Sequence, residues 1–395
     1  MLSIYKQTDN DMQFVQNNQD LTILCNKLSN EEFVCVDLEF LRQHTYFAKL
    51  CLIQIASQNY EAIIDPLAED INLQPFFDLM QNEKIVKVFH SGRQDIEIIY
   101  NLSSKIPTPL FDTQIAAQVA GFGESISYEH LVNHILHITI DKSSRLSDWS
   151  NRPLNENQLN YAISDVTHLV KIYSWLKSKL IDENRLDWIN DELNALCDED
   201  LYKINPYNMW QKIRHRSHST KFLTYLRELC AWREIRAINK NVPRQSFIKD
   251  DMLLNICSDC PTSKEDLCKV RGMRSDLAMG KIGDEIIEII EKVKALSERD
   301  YVTLPVVKEF CGADGSLLEL LKLLLKITAQ QQKTVARIIA SEDDLKSFCH
   351  DDTASVPFMH GWRYEIFGAK AKDMKAGKLS ISYNPKTRVI DFNNL

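Results

Sequence analysis

Asp37 and Glu39 stand two residues apart at the end of the run Phe33-Val34-Cys35-Val36-Asp37-Leu38-Glu39-Phe40. Valine and phenylalanine dominate that run, and β-branched and aromatic residues suit a pleated, buried surface. Side chains alternate across a strand, so both carboxylates project from the same face. Two carboxylates that close repel, and both stay ionised only beside a positive charge. The pair reads either as half of a divalent-metal site or as a solvated strand end, and further acids must decide. Asp95, in His90-Ser-Gly-Arg-Gln-Asp95, opens a helix just past a later apolar strand. Ligand sites of open α/β sheets gather there, although an acid in a first turn also compensates the helix dipole. Tyr161 and Asp165, in Tyr161-Ala-Ile-Ser-Asp165, are four apart and share one helical face. A phenol and a carboxylate presented together make chemical sense where one positions water and the other binds metal. A packed tyrosine beside a solvated aspartate is the alternative.

Periodicity gives the elements that must position these groups. Residues 12–15 and 33–39 read as strands separated by a short helix through 21–28. Residues 50–56 and 60–64 alternate well enough to form a hairpin with the central strand, turning at Ser57-Gln-Asn59. A short amphipathic helix over 73–80 and an apolar strand over 85–89 follow. From about residue 94 to 201 the pattern is mostly helical, with Asp112 as N-cap of the run 115–119 and a long helix over 155–180. This is an α/β layer with a mixed sheet, flanked by helices.

Taken together, Asp37-x-Glu39 on a strand, Asp95 opening a helix and Tyr161-x-x-x-Asp165 on a late helix resemble the three motifs of the DEDDy 3′→5′ exonucleases. The flanking text is also similar: Thr45-Tyr-Phe-Ala-Lys-Leu-Cys-Leu-Ile-Gln54, Ile64-Asp-Pro-Leu67, Phe89-His-Ser-Gly-Arg-Gln-Asp95, Phe111-Asp-Thr-Gln114 and Trp149-Ser-Asn-Arg-Pro-Leu154. The resemblance covers the first half of the chain and is closest to the bacterial ribonuclease D family. It implies a ribonuclease-H-like fold and a site holding two divalent cations, Mg²⁺ or Mn²⁺. Such ions stabilise charge on the attacking and leaving oxygens of a phosphodiester, and hard cations prefer carboxylate oxygens. By the same resemblance, Asp37 bridges both ions and Glu39 and Asp165 hold the one that carries the nucleophilic water. Asp95 supports the second ion, partly through water, and Tyr161 orients the attacking water. A phenol of reference pKa about 10 is a poor unaided base.

The rest of the chain differs in charge. Residues 1–200 carry 15 Lys+Arg against 30 Asp+Glu, whereas residues 201–395 carry 32 against 25. Within 203–249 there are 11 basic residues and only Glu228 and Glu234. An acidic half joined to a basic half suggests a metal-dependent catalytic unit and a unit that holds a polyanion; a solvated basic helix face is the alternative. Leu223, Leu226, Leu229 and Cys230 form an apolar helical stripe. Lys212, Arg214, Arg216 and Lys221 are candidates for phosphate contacts, and Trp232 for stacking on a base or packing in the core.

The runs Leu226-Arg-Glu-Leu-Cys-Ala-Trp-Arg-Glu234, Asn241-Val-Pro-Arg244 and Val270-Arg-Gly-Met273 resemble the helicase-and-ribonuclease-D C-terminal (HRDC) domain, a small all-α nucleic-acid-binding module. Residues 303–368, with the apolar stretch 317–327 and His360-Gly-Trp-Arg-Tyr-Glu-Ile-Phe367, read as a second, divergent copy. The expected organisation is an exonuclease domain over 1–202, HRDC-type domains over 207–294 and 300–378, and a tail over 379–395 that alternates like a hairpin around Asn384-Pro385.

Other classes fit poorly. Cys257-Ser-Asp-Cys260 lacks the further pair or histidines that a zinc site needs, so the ten cysteines read as free thiols of a reducing compartment. No apolar run approaches the roughly 18 residues of a membrane span, and the first ten residues lack the pattern of a secretory signal. No Gly-x-x-x-x-Gly-Lys-Ser/Thr loop is present, which excludes a helicase motor or other use of nucleotide triphosphate through such a loop. The resemblance implies a cytoplasmic, monomeric 3′→5′ exoribonuclease. It would release nucleoside 5′-monophosphates from structured RNA with a free 3′ end, such as tRNA precursors. A DNA exonuclease of the same chemistry is the nearest alternative, and a non-catalytic nucleic-acid-binding protein the next.

Overall fold

The computed structural model describes residues 12–217, 219–303, 313–351 and 353–394. The parts of the expected domains at 1–11 and 304–312 lie outside the described residues.

The first elements are β1 (Gln13–Val15), α1 (Asn18–Leu28), β2 (Phe33–Leu41), β3 (Lys49–Ala56), β4 (Glu61–Ile64) and α2 (Gln74–Met80). They are followed by β5 (Val86–Phe89), α3 (Arg93–Ser103), β6 (Leu110–Asp112), α4 (Thr113–Val119), α5 (Tyr128–Leu136) and α6 (Glu156–Asp182). The strands make one sheet in the order β1-β4-β3-β2-β5-β6. Strand β3 runs antiparallel to β2 and β4, while the other pairings are parallel, so the sheet is mixed as the pattern required.

The stretch read as mostly helical is so, with two interruptions. It contains β6, three residues paired with β5 through Phe89↔Asp112, and an irregular segment over 137–155. A three-residue strand is too short to show alternation and exists because β5 offers it a free edge.

Strand β2 divides the core. Val34, Val36 and Leu38 pack with Leu21, Leu24, Phe76 and Ile96 on one face. Phe33 and Cys35 pack with Val166, Leu169 and Tyr173 of α6 on the other. Asp37 and Glu39 continue the second set by strand alternation, so both face α6.

Beyond the sheet come α7 (Asn190–Leu196) and α8 (Thr220–Lys240). The expected stripe Leu223, Leu226, Leu229 and Cys230 is fully buried against Ile256, Leu267, Ile286 and Ile290. Trp232 packs against this core and donates its Nε1–H to Glu285 at 2.8 Å, which favours its packing role. Cys257 is buried on a helix, and among the described residues no cysteine or histidine joins a metal-ligating group.

The helices over 313–375 do not stand apart. Leu321, Leu324, Phe358 and Phe367 share one continuous core with Val119, Leu131 and Leu176 of the sheet domain. At Gly121, with φ +89°, an added Cβ would lie 2.3 Å from the Lys333 carbonyl oxygen, so only glycine permits this approach. Trp188 and Trp362 stack at 4.2 Å with planes 5° apart. Arg363, 3% exposed, donates to the Ile338 carbonyl at 2.7 Å, to Glu192 at 3.1 Å and to Asp191. Replacing Arg363 by Ala strands these groups, but both carboxylates can rehydrate. The expected cost is therefore about 2 kcal/mol, below the several expected for a sealed pair. It should appear as loosened proteolytic protection of residues 313–394, with the rest of the chain unchanged. The tail forms the expected hairpin, Leu379–Asn384 against Val389–Asn394.

Candidate active site

Three local devices aim the candidate side chains. Strand β2 carries Asp37 and Glu39, and its register with β3 shifts just after Glu39, before the pairing resumes at Phe40↔Leu50. Asp95 sits in the first turn of α3, behind the tight turn Ser91-Gly92. Ser91 has φ +57°, and a Cβ on Gly92 would lie 2.4 Å from Phe89 Cβ. Asp112 accepts from the Ser91 and Gly92 amides at 3.1 and 2.8 Å and caps α4 by accepting from the Gln114 amide at 2.8 Å. The cap read from sequence thus also fixes the turn that orients Asp95. Helix α6 starts with a reciprocal cap between Asn155 and Gln158, at 2.9 and 3.0 Å. Tyr128 of α5 donates its hydroxyl to the backbone carbonyl of Asp165, which holds that turn of α6.

One carboxylate oxygen from each of Asp37, Glu39 and Asp165 lies within 4.8 Å of the other two. The Tyr161 hydroxyl sits beside the Asp165 carboxylate and lowers its proton affinity. Asp95 lies outside this triplet, yet its charge bears on both Asp37 and Glu39. Asp37, Glu39 and Asp165 therefore meet, with the Tyr161 hydroxyl and the Asp95 charge acting on them. Asp37, Tyr161 and Asp165 border a cavity of about 330 Å³ that is also lined by Tyr128, Lys142 and Arg145.

The electrostatics are those of crowded acids. Burial pushes Asp37 up to about 7. Asp165 rises to about 8 through burial and the Asp37 charge, against the Tyr161 hydrogen bond and Arg145. Glu39 rises to about 9 through burial and the charges of Asp37, Asp165 and Asp95, with Arg145 opposing. Burial, then Asp37, holds Asp95 well above the carboxylate range. Tyr161 is raised as well, by burial and then Asp165. Four acids packed this way with Arg145 as the cation that faces them lack internal neutralisation. An all-oxygen donor set short of positive charge fits a hard divalent cation.

Arg145, Lys142 and Tyr128 escaped the sequence reading. Lys142 is engaged by Glu129, whereas Arg145 makes no ion pair among the described residues. The available signal was position: two cations lie in a short polar segment just before the matched Trp149 motif. Of the phosphate-contact candidates, Lys212, Arg214, Arg216 and Lys221 are all exposed. They do not gather in one hollow. Lys212 borders a cleft against the sheet domain, and Lys221 a separate hollow beside Cys257 and Cys260.

Comparison with known proteins bears on this geometry. The 3'-5' exonuclease family matches residues 12–181, and the HRDC domain family matches residues 222–290. Ribonuclease D of Zymomonas mobilis is 41% identical over 93% of this chain and 95% of its own. Ribonuclease D of Bartonella henselae is 40% identical over 93% and 91%. The crystal structure of Escherichia coli RNase D, described as an exoribonuclease involved in structured RNA processing, superposes with a TM-score of 0.80. It is 24% identical and covers 93% of this chain and 99% of its own, which speaks for the shared fold. The folded sheet with its acid cluster, the HRDC domain behind it and this identity along nearly the whole of both chains lead to one assignment: the chain belongs to the ribonuclease D family and is a 3′→5′ exoribonuclease.

Proposed function

We propose that the chain removes nucleoside 5′-monophosphates one at a time from the 3′ end of structured RNA, tRNA precursors among them, with Mg²⁺ or Mn²⁺ bound at the acid cluster. The observation that carries this reading is the meeting of three carboxylates within 4.8 Å beside a hydrogen-bonding phenol. Asp37, Glu39 and Asp165 would hold the ions, with Asp95 supporting. Bound there, divalent cations supply charge stabilisation for the attacking and leaving oxygens and a more acidic water. Tyr161 orients the attacking water through its hydroxyl, already engaged with Asp165. Its raised proton affinity keeps it a hydrogen-bonding phenol and not a phenolate base. Arg145, which lines the same cavity, offers a cation to the phosphate of the entering nucleotide.

The same reading divides the chain at 1–202, 207–294, 300–378 and 379–395, and takes 300–378 as a second, divergent HRDC-like unit. Its support is the succession of short helices after the long Ala313–Gln332. Lys212, Arg214, Arg216 and Lys221 contact backbone phosphates, so binding weakens as salt rises. A monomer acting in the cytoplasm without nucleotide triphosphate completes the proposal.

The test is a 5′-labelled RNA with an unpaired 3′ tail, incubated with and without Mg²⁺ or Mn²⁺ and resolved by length, beside its DNA counterpart. Stepwise shortening of RNA only when an ion is present supports the proposal. Equal digestion of DNA would favour the broader exonuclease, and RNA retained intact under Mn²⁺ would leave a binding protein. For Tyr161→Phe the expected result is a kcat lower by about 10–100-fold with KM nearly unchanged, as one oriented hydrogen bond in the transition state would give. A KM effect of that size at constant kcat would instead make Tyr161 a substrate contact.

A further inference from the structure

A second hollow, larger than the first, opens between the sheet domain and the segments 200–212 and 243–245, with a volume of about 770 Å³. The two come close along the chain at the turn Ser91-Gly92-Arg93: Ser91 borders the acid cavity, and Arg93 borders this cleft. The cleft also receives Arg42, three residues past Glu39, which extended chain places about 10 Å along. We propose that this cleft is a distinct binding site for the single-stranded RNA that precedes the 3′-terminal dinucleotide. The proposal rests on the catalytic reading of the acid cluster, since that reading fixes which end of the RNA lies there.

The lining supports a single strand. Arg93 and Lys212 border the cleft and make no ion pair among the described residues, which leaves both available to phosphates. Arg42, Lys203 and Arg244 add charge, although each is already engaged: with Glu97, with Glu199 and with the buried Glu234. Two aromatic side chains, Tyr46 and Phe47, stand among these cations with ring centroids 5.0 Å apart. Cations that track a backbone, interleaved with rings on which bases stack, are what unpaired nucleic acid requires. A duplex keeps its bases stacked inward and cannot offer them to the rings.

The cleft is also preformed. The Tyr46 and Phe47 amides donate to Asn241 Oδ1 at 3.0 and 3.2 Å, and the Tyr46 hydroxyl donates to Glu234. Asn241 can face back because it ends α8 in the left-handed region, at φ 46°. The loop after β2 and the end of α8 are thereby tied together beside the cleft, so the strand meets a fixed surface.

Arg93→Ala tests the site, because the side chain is exposed and carries no internal contact whose loss would unfold α3. Two substrates are compared, a dinucleotide that fills only the acid cavity and an unpaired octanucleotide. The expected result is a KM for the octanucleotide about fivefold higher, with dinucleotide turnover within about twofold of wild type. The slope of log KM against log salt should fall by about 0.7, one single-strand phosphate contact, and Arg93→Lys should recover most of the loss. Binding of the labelled octanucleotide to Asp37→Asn, with and without Arg93→Ala, reads the cleft independently of hydrolysis. Equal affinity of those two proteins overturns the proposal. So does a parallel fall on the dinucleotide, which would show Arg93 acting through α3 and Asp95. A wild type that cleaves neither substrate refutes the catalytic reading instead, and the binding comparison still decides the cleft.

Discussion

Asp37→Asn is expected to lower nucleotide release by about 10³-fold or more while the metal-free protein becomes more stable. The two effects share one cause. Asp37 is a member of the tight triplet, and its charge raises the proton affinity of Glu39, Asp95 and Asp165. An amide keeps the shape but removes the charge that a hard cation needs. Losing about 4 kcal/mol of transition-state stabilisation corresponds to roughly that factor. Without a cation the same substitution removes like-charge repulsion, worth on the order of 1–2 kcal/mol once the partial access of water is allowed for. Melting of the metal-free protein at pH 8 should therefore rise by roughly 2–6 °C, while single-turnover release of labelled nucleotide under Mn²⁺ all but disappears. A variant that loses activity and stability together would show Asp37 to be structural. One that keeps near wild-type rates would remove the acid cluster from the chemistry.

The strand–helix logic of the site was open to sequence reading because each group follows a short-range rule. The spacing Asp37-x-Glu39 fixes a common strand face, Tyr161-x-x-x-Asp165 a common helix face, and Asp112 and Asn155 announce helix starts. These local rules do not say which strands become neighbours, so β6 went unread; it exists by pairing with β5. Arg145 was hidden for the same reason. Nothing local distinguishes a cation on a polar loop from one that acts on Glu39 and Asp165, and only the fold brings Lys142 and Arg145 to the cavity that Asp37 and Asp165 border. The second helical unit shows a different limit. Its apolar helix was legible, but its face is shared with the sheet domain, through Trp188–Trp362 and Arg363, so it is not the self-contained module that an apolar stripe suggests. The bond between Tyr46 and Glu234 joins residues far apart in the chain and lies beyond any periodicity argument.

Raising the pH from about 6 to about 8 is expected to tighten metal binding by about 10²-fold or more, because ligand carboxyls must lose their protons before a cation can enter. In the metal-free protein Asp37 lies at about 7, Asp165 at about 8 and Glu39 at about 9. At pH 6 all three hold protons for most of the time, and ion entry displaces them; above about 9 there are none to displace. Each proton released contributes a factor of about ten per pH unit, so log Kd for Mn²⁺ should fall with a slope between about −2 and −3 from pH 6 to 7 and flatten above about pH 9. The same protons appear in folding. These values lie above the roughly 4 of an unfolded carboxyl, so the native state binds protons more tightly. That contribution is complete below about pH 4 and is lost as pH climbs through 7 to 9. Relative to Asp37→Asn, the metal-free wild type should therefore melt progressively lower from pH 6 to 9, and saturating Mn²⁺ should abolish the difference. Calorimetric titration in buffers of different ionisation enthalpy counts the protons directly. A proton count of zero at pH 6, with affinity flat to pH 9, would mean that Asp37, Glu39 and Asp165 do not share an ion. The 4.8 Å approach of their oxygens would then need another explanation.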